Sequence, residues 1–475
     1  MEKDLTQRLL SRRAFLRNSS SLGVGTLAFN DLLSRESAPD PVADYGKEIA
    51  HFAPKAKSVI FLHMVGAPSQ LDLFDPKPKL KEFHGKLAPA EFIEGKRFAF
   101  LRGHPKMMAS PFKFTRINNG QEISEVLPHL KSVAGEVAII RSMQTEDFNH
   151  APAQMFFHSG LNRIGRPSLG SWVTYGLGSE SNDLPSYVVM VSGSVPGAGS
   201  SLWSHGFLPS TYQGIEFRST GDPVLFLSDP KGVDRSRRKR IIDGINELNE
   251  LELKNTGDPE IRTRINQYEL AFKMQMSVPE LTDIRTEPEH IRNMYGKGSF
   301  ANHCVQARRL VERGVRFVEL YNSGWDHHGG IENGIKKKAK EIDRPIAALI
   351  KDLKMRGLLD ETLLVWGAEF GRTPMFQGSK LNGAGRDHHK EAYTIWMAGG
   401  GIRGGISYGQ TDDFGYYVEK DPVIVRDMHA TILHALGMDH EKVTFRFQGL
   451  DQRLTGTEES RIHHQAHQNS CWTMD

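Results

Sequence analysis

Six short apolar runs recur along the chain, at 57–65, 136–141, 186–191, 315–321, 362–367 and 393–398. Each is rich in β-branched and aromatic residues, is bounded by glycine, proline or polar residues, and lacks the alternation of a half-exposed sheet. That pattern predicts buried strands of a parallel sheet. Between them apolar positions fall at helical spacing over 123–134, a long charged pair across 234–276, 301–313, 331–355 and 423–436. Strands and helices in alternation predict an α/β fold, a doubly wound, mostly parallel sheet flanked by helices. The stretch 192–230 breaks the rhythm with Gly, Ser, Pro and aromatics and reads as an irregular insertion. The expected division is a signal segment at 1–36, a linker at 37–56, one α/β domain over 57–455 and a flexible tail at 456–475.

Composition narrows the class without naming a function. With 39% apolar residues, 25% charged residues and a formal charge of +3, the chain is neither fibrous nor disordered. So small a charge sets up no field that argues for nucleic acid. The one dense basic run, Arg237-Arg238-Lys239-Arg240, sits in helical sequence and reads as a solvated helix face. Two cysteines, Cys304 and Cys471, in unlike contexts exclude a disulfide framework, a CxxC zinc site and a c-type haem. No window approaches the roughly 18 apolar residues of a membrane span. Near the start, Ser11-Arg12-Arg13-Ala14-Phe15-Leu16-Arg17 precedes a mildly apolar stretch, the order of a twin-arginine export signal. Its partner would be the twin-arginine export machinery, which carries folded proteins, and the destination periplasmic or extracellular.

In open α/β sheets ligands bind beyond the carboxyl ends of the strands, so the segments after each predicted strand carry the candidate chemistry. There stand Asp72 and Asp75, Asn149-His150, Asp326-His327-His328, Glu369 with Arg372, and Arg386-Asp387-His388-His389. Imidazole nitrogen and carboxylate oxygen together suit a divalent metal. Asp326, His327, His328, Glu369, His388 and His389 are therefore the candidate ligands, with either histidine of each pair able to serve. Arg372 and Arg386 are candidates to hold an anion by their planar forks. His150 is open to three readings: nucleophile, further ligand or helix cap. The tryptophans at 325, 366 and 396 read as core.

These motifs also carry a resemblance. Pro-Ser-Gln-Leu-Asp-x-Phe-Asp-Pro-Lys-Pro (68–78), Asn-His-Ala-Pro-Ala-Gln (149–154), Gly-Trp-Asp-His-His-Gly-Gly (324–330), Trp-Gly-Ala-Glu-Phe-Gly-Arg-Thr-Pro (366–374) and Gly-Arg-Asp-His-His (385–389) are joined by Ala-Gly-Gly-Gly-Ile-Arg-Gly-Gly (398–405). In this order, behind a twin-arginine leader, the set resembles a family of exported, sulfatase-like bacterial proteins, domain of unknown function fifteen-oh-one, of the alkaline phosphatase superfamily. The resemblance implies an alkaline phosphatase/sulfatase-like fold and a divalent metal (zinc, manganese, calcium or iron). It also implies an anionic small-molecule or polysaccharide ester as substrate. On its pattern Asp326 with His327 or His328 forms an Asp…His cluster, Glu369 stands for the Asp of an Asp-His pair, and His388 or His389 is the late His. The chain departs from that pattern at Phe370, where the paired His would stand, and at Met64-Val65-Gly66, which replaces an early Asp-Gly and leaves Asp72 or His63 as substitutes. Asn149-His150 occupies the nucleophile position without a Ser or Thr, and neither cysteine has the setting sulfatases convert to formylglycine. Two functions follow as alternatives: a metal-dependent hydrolase of phosphate or sulfate esters, or a non-catalytic cell-envelope binding protein on the same fold.

Overall fold

A computed structural model describes residues 50–117, 120–218, 223–224, 234–378 and 380–463. The twin-arginine segment, most of the linker, part of the expected insertion and the end of the tail lie outside the described residues. The central strands are β1 (Ser58–Val65), β2 (Val137–Gln144), β3 (Tyr187–Ser192), β4 (Ile215–Phe217), β5 (Phe317–Ser323) and β6 (Thr362–Gly367). A hairpin, β7 (Gly371–Gln377) and β8 (Gly385–His389), follows β6 and stands off the sheet. Then come β9 (Tyr393–Ala398), β10 (Ile406–Tyr408) and β11 (Val423–Ile424). Among the described residues nine strands make one sheet in the order β10–β2–β9–β6–β1–β5–β3–β4, with β11 also beside β2. The pairings of β9 are antiparallel and the others parallel, so β1, β2, β5 and β6 end on the same edge.

Successive residues of a strand face opposite ways, and here both ways are buried. Ile60, Leu62, Val318 and Leu320 pack into one core beneath α5 (Ser299–Glu312) and α6 (Ile331–Met355). Val59, Phe61, Phe317 and Tyr321 pack into the other, beneath α1 (His150–Ser159), α2 (Leu169–Leu177) and α7 (Val425–Ala435). Helices on both faces confirm the doubly wound α/β class. Of the charged pair α3 (Arg235–Thr256) and α4 (Pro259–Thr282), the end of α4 packs Met274, Val278 and Leu281 into the first core, while Arg237, Lys239 and Arg240 of α3 are exposed as a solvated face. All six predicted strands are present. The helix expected over 123–134 is not: Glu122–Ser124 is a short strand and Pro128–Lys131 a single turn, because Pro128 has no N–H to continue a preceding helix. The hairpin of β7 and β8 falls between two of the predicted strands, where no further strand is expected. No helix among the described residues is long and apolar enough to cross a membrane.

Candidate metal centre

The shared strand edge gathers side chains from four distant segments. β1 ends in Val65 and turns at Gly66, whose φ of 107° is one that only glycine adopts freely. A Cβ there would meet Asp326 N at 2.5 Å, so the missing side chain lets the turn after β1 lie directly on the loop after β5. That loop presents Asp326 and His328. β2 leads into α1, whose first residue is His150. β6 leads to Glu369, and β8 of the hairpin carries His388.

Ligand atoms of His150, Asp326, His328 and His388 all lie within 4.8 Å of one another. Each imidazole has its Nδ1 tied to an oxygen outside the group: His150 to Glu369 Oε1 at 2.7 Å, His328 to Gln377 Oε1 at 2.5 Å and His388 to the Phe148 carbonyl at 2.6 Å. These acceptors fix the tautomer and turn all three Nε2 atoms toward Asp326, at 3.3, 2.9 and 3.4 Å respectively. Carboxylate, amide or carbonyl partners behind the ligating ring are what metal-binding histidines use. His150 Nε2 is buried and has no aligned hydrogen-bond partner despite its nearness to Asp326. A buried polar nitrogen left so costs about 1 to 3 kcal/mol unless something occupies its lone pair. Three imidazoles, one of them carrying that orphaned nitrogen, and one carboxylate fit a divalent metal.

The supporting groups are buried and saturated. Glu369 Oε1 accepts from Gly66 N, Gln154 Nε2 and His150 Nδ1, while Oε2 meets His63 Nε2 at 3.1 Å. Burial would raise this carboxyl, but the hydrogen bonds from His150 and His63 hold it well below the ordinary range. Burial likewise opposes ionisation of Asp326 and is outweighed by His150, His328, His388 and the charge of Arg372. For His150 burial favours the neutral ring, yet the nearby carboxylates of Asp326 and Glu369 bring it up to about 9. Rings enclose the cluster: Phe370 stacks obliquely on His150 and His388, with centroids at 4.9 and 4.6 Å. Exposed Phe100 edges onto His328 and His388, its loop pinned by bonds from Phe100 N and Leu101 N to Asp387 Oδ2, both 2.8 Å.

Several sequence expectations change here. His327 lies outside the group, its ring against Gly334 in the first turn of α6, where a Cβ would come within 2.3 Å of it. His389 faces away from its neighbour His388, as adjacent strand residues do, and bonds the Tyr416 carbonyl at 2.7 Å. Glu369 orients His150 rather than joining the four donors. Arg372 does not hold an open anion site: it is buried, bonded to the Ala67, Gly66 and Arg386 carbonyls, and bracing Asp326 Oδ1 at 2.6 Å. Arg386 is wholly buried, paired with Asp72 at 2.8 Å and bonded to the Met108 and Thr373 carbonyls. His150, left open by the sequence, stands among the four donors. The reading passed over Gln154, Gln377 and Phe100, which carry no metal-ligand signature.

The family model described as Protein of unknown function (DUF1501) matches residues 56–465. No curated protein matches the sequence. Among solved structures, the chain is similar to an alkaline phosphatase from the Antarctic bacterium TAB5 at 11% identity, covering 75% of this chain and 95% of that one with a TM-score of 0.32. A phosphonate monoester hydrolase from Silicibacter pomeroyi has 12% identity, with 88% and 78% covered and a TM-score of 0.35. A sulfatase from Pseudoalteromonas sp. has 12% identity, with 86% and 75% covered and a TM-score of 0.37.

Proposed function

The chain belongs to the DUF1501 family, and from its site we propose that it is an exported, metal-dependent hydrolase of phosphate or sulfate esters. The observation that carries this reading is the common aim of three histidines, each tied at Nδ1 and each directing Nε2 at Asp326. Three imidazoles and a carboxylate suit zinc, manganese or iron better than calcium, which prefers an all-oxygen shell. When bound, such a metal supplies polarisation of an ester oxygen and activation of water.

The residues themselves do the rest. Glu369 fixes the ring of His150, Arg372 braces one oxygen of Asp326, and Phe370 and Phe100 wall off part of the cluster from solvent. Asp326 keeps 42% of its side chain exposed, which opens the group to a ligand from one side. Asn149 and His150, where a hydroxyl nucleophile would stand, leave attack to water. The Arg12-Arg13 pair supports export, and lysine at both positions would then retain the precursor in the cytoplasm.

The test is metal content and turnover of phosphate and sulfate esters, measured on the exported protein and on Asp326→Ala and His150→Ala. We expect one equivalent or more of metal on the native protein and at least a hundredfold weaker uptake in both variants, with activity lost alongside. Uptake unchanged in both variants overturns the site. Metal retained on native protein that turns over no ester overturns the hydrolase and leaves the binding-protein reading, which the missing Ser or Thr favours.

A further inference from the structure

The helix α3 has two apolar faces, and the chain covers only one of them. On the covered side Ile242 is buried, as are Ile261 and Ile265 of α4, and Asn246 and Glu250 bond to Glu269 and Arg262 across the pair. Ile242, Asn246 and Glu250 are four residues apart and so share one side of the helix. Ile241, Leu248 and Leu251 lie on the other side, 45%, 68% and 57% exposed. With Gly244 they stand at 241, 244, 248 and 251, the a and d positions of a heptad, which is the spacing by which one helix meets another. A single exposed leucine is ordinary, whereas a seam of this spacing marks a surface that takes a partner.

Gly244 sits in the middle of the seam, and a Cβ built on it would meet nothing within 4 Å. Glycine weakens a helix interior relative to alanine, and the packing of this chain does not call for it here. A second helix laid on the seam does, because the separation of two packed helices is set by the side chains at their contact. Charge along α3 is divided as well. Residues 235–240 are basic apart from Ser236, whereas 243–252 carry Asp243, Glu247, Glu250 and Glu252 and no basic residue, with Lys254 beyond them. Arg237, Arg240, Glu247 and Glu252 are all exposed. A partner of one sign, a nucleic acid or an anionic surface, would match the first half and be repelled by the second. Another α3 running the opposite way matches both.

We propose that α3 is the interface of a homodimer, in which the seams of two copies pack antiparallel about a two-fold axis. Such an interface uses the same patch twice, so it must be complementary to itself. With the axis level with Asn246, Ile241 of one copy lies beside Leu251 of the other, and Leu248 of each enters the space left at Gly244 of its neighbour. Arg240 then stands level with Glu252 of the second copy, where a parallel pairing would set Arg240 against Arg240. The basic run, solvated in the single chain, becomes the rim of the contact. None of the four metal donors is on α3, so the interface stands whether or not the ester chemistry does.

Sedimentation of the full-length protein over a concentration series tests it. The native chain is expected to form a reversible dimer at micromolar concentration. Leu248→Glu with Leu251→Glu places charge in the seam and should raise the dissociation constant about 100-fold or more, with helix content by circular dichroism and metal uptake unchanged. Both leucines are exposed in the single chain, so neither change touches its core. A charge swap gives an independent reading, and it decides the matter if the leucine variant does not fold. Arg237→Glu with Arg240→Glu sets acidic flanks along the whole seam, and Glu247→Arg with Glu252→Arg sets basic ones. Each should be monomeric alone, and the two should pair when mixed. A native chain that stays monomeric overturns the proposal and gives the seam to another occupant. A dimer that keeps its native strength through the leucine changes, or charge variants that pair alone as tightly as when mixed, overturns it too.

Discussion

Two regions of this molecule are equally crowded with charge, and only one of them turns several donor atoms toward a common point. Between α5 and α6, buried Arg308 meets Asp352 at 3.0 Å, Glu312 at 2.8 Å and Glu287 at 2.7 Å. Arg356 meets Asp352 at 2.8 Å and Glu312 at 3.1 Å, and Tyr295 donates to Asp352 at 3.0 Å. Guanidinium faces carboxylate throughout, and the partners are all the protein's own. At the strand edge the saturated groups, Glu369 and Arg372, stand one layer back, and what they hold forward is three Nε2 atoms and a half-open carboxylate. Charge density does not separate the two; the direction in which the unspent lone pairs point does.

The largest test of that contrast is to open the closed network. Arg308→Met leaves Asp352 and Glu287 buried without their main cation, and breaking one side of a buried pair costs about 3 to 5 kcal/mol. Urea denaturation should show that loss, while metal uptake per folded molecule stays at the native level. A loss below about 1 kcal/mol would mean the network is not closed in the sense argued here.

Glu369→Gln makes the reciprocal cut. The amide preserves shape but removes the charge that orients His150, and outer-shell changes of this kind cost about 10- to 100-fold in metal affinity. Calorimetric titration with zinc should show that drop without a comparable fall in stability. An unchanged affinity would return Glu369 to the role of spectator.

The smallest effect is in pH and separates two histidines. His150, raised to about 9, contributes stability that is complete below the ordinary imidazole value of about 6.5 and is lost as pH rises through about 9. His429, wholly buried, lowered by burial to about 4 and bonded to the Phe157 carbonyl at 2.9 Å, has the opposite sign. Its contribution is present above about 6.5 and is lost as pH falls toward about 4. Thermal melts of the metal-free protein should show His150→Gln flattening the alkaline limb and His429→Gln the acid limb. If each variant left its own limb as steep as the native protein's, the assignment of sign would be wrong.

The strand-end rule brought Asp326, His328, Glu369 and His388 into view, because the position of a residue after an apolar run is legible without contacts. It could not choose between adjacent histidines. His388 and His389 are told apart only by the alternation of β8, and that segment carries too many polar residues to read as a strand. His327 and His328 differ by which one finds Gly334 to pack on, a contact between the loop and the helix after it. The arginines misled for a related reason: a guanidinium suits an anion, and here the oxygens it meets are backbone carbonyls and the protein's own carboxylates, Asp326 and Asp72, which only the folded chain brings together. His63 did leave a trace, as an ionisable residue inside an otherwise apolar run. Ionisable groups in a buried strand are costly unless partnered, and that cost was the signal to follow.

The order of the strands has a consequence for how the chain can be made. β1 lies between β5 and β6, so its two partners are supplied by residues from Phe317 and Thr362 onward, far along the sequence. β2 waits still longer, for β9 and β10. Pairings this remote make for slow folding, since loop closure is paid before any contact rewards it. While synthesis runs from its first residue toward His388, a ribosome-bound chain therefore exposes β1 and β2 as unpaired apolar strands and holds at most part of the donor set. The donor set is completed only once His388 is made, and a chain truncated before the hairpin of β7 and β8 lacks both that donor and Gln377, which holds His328.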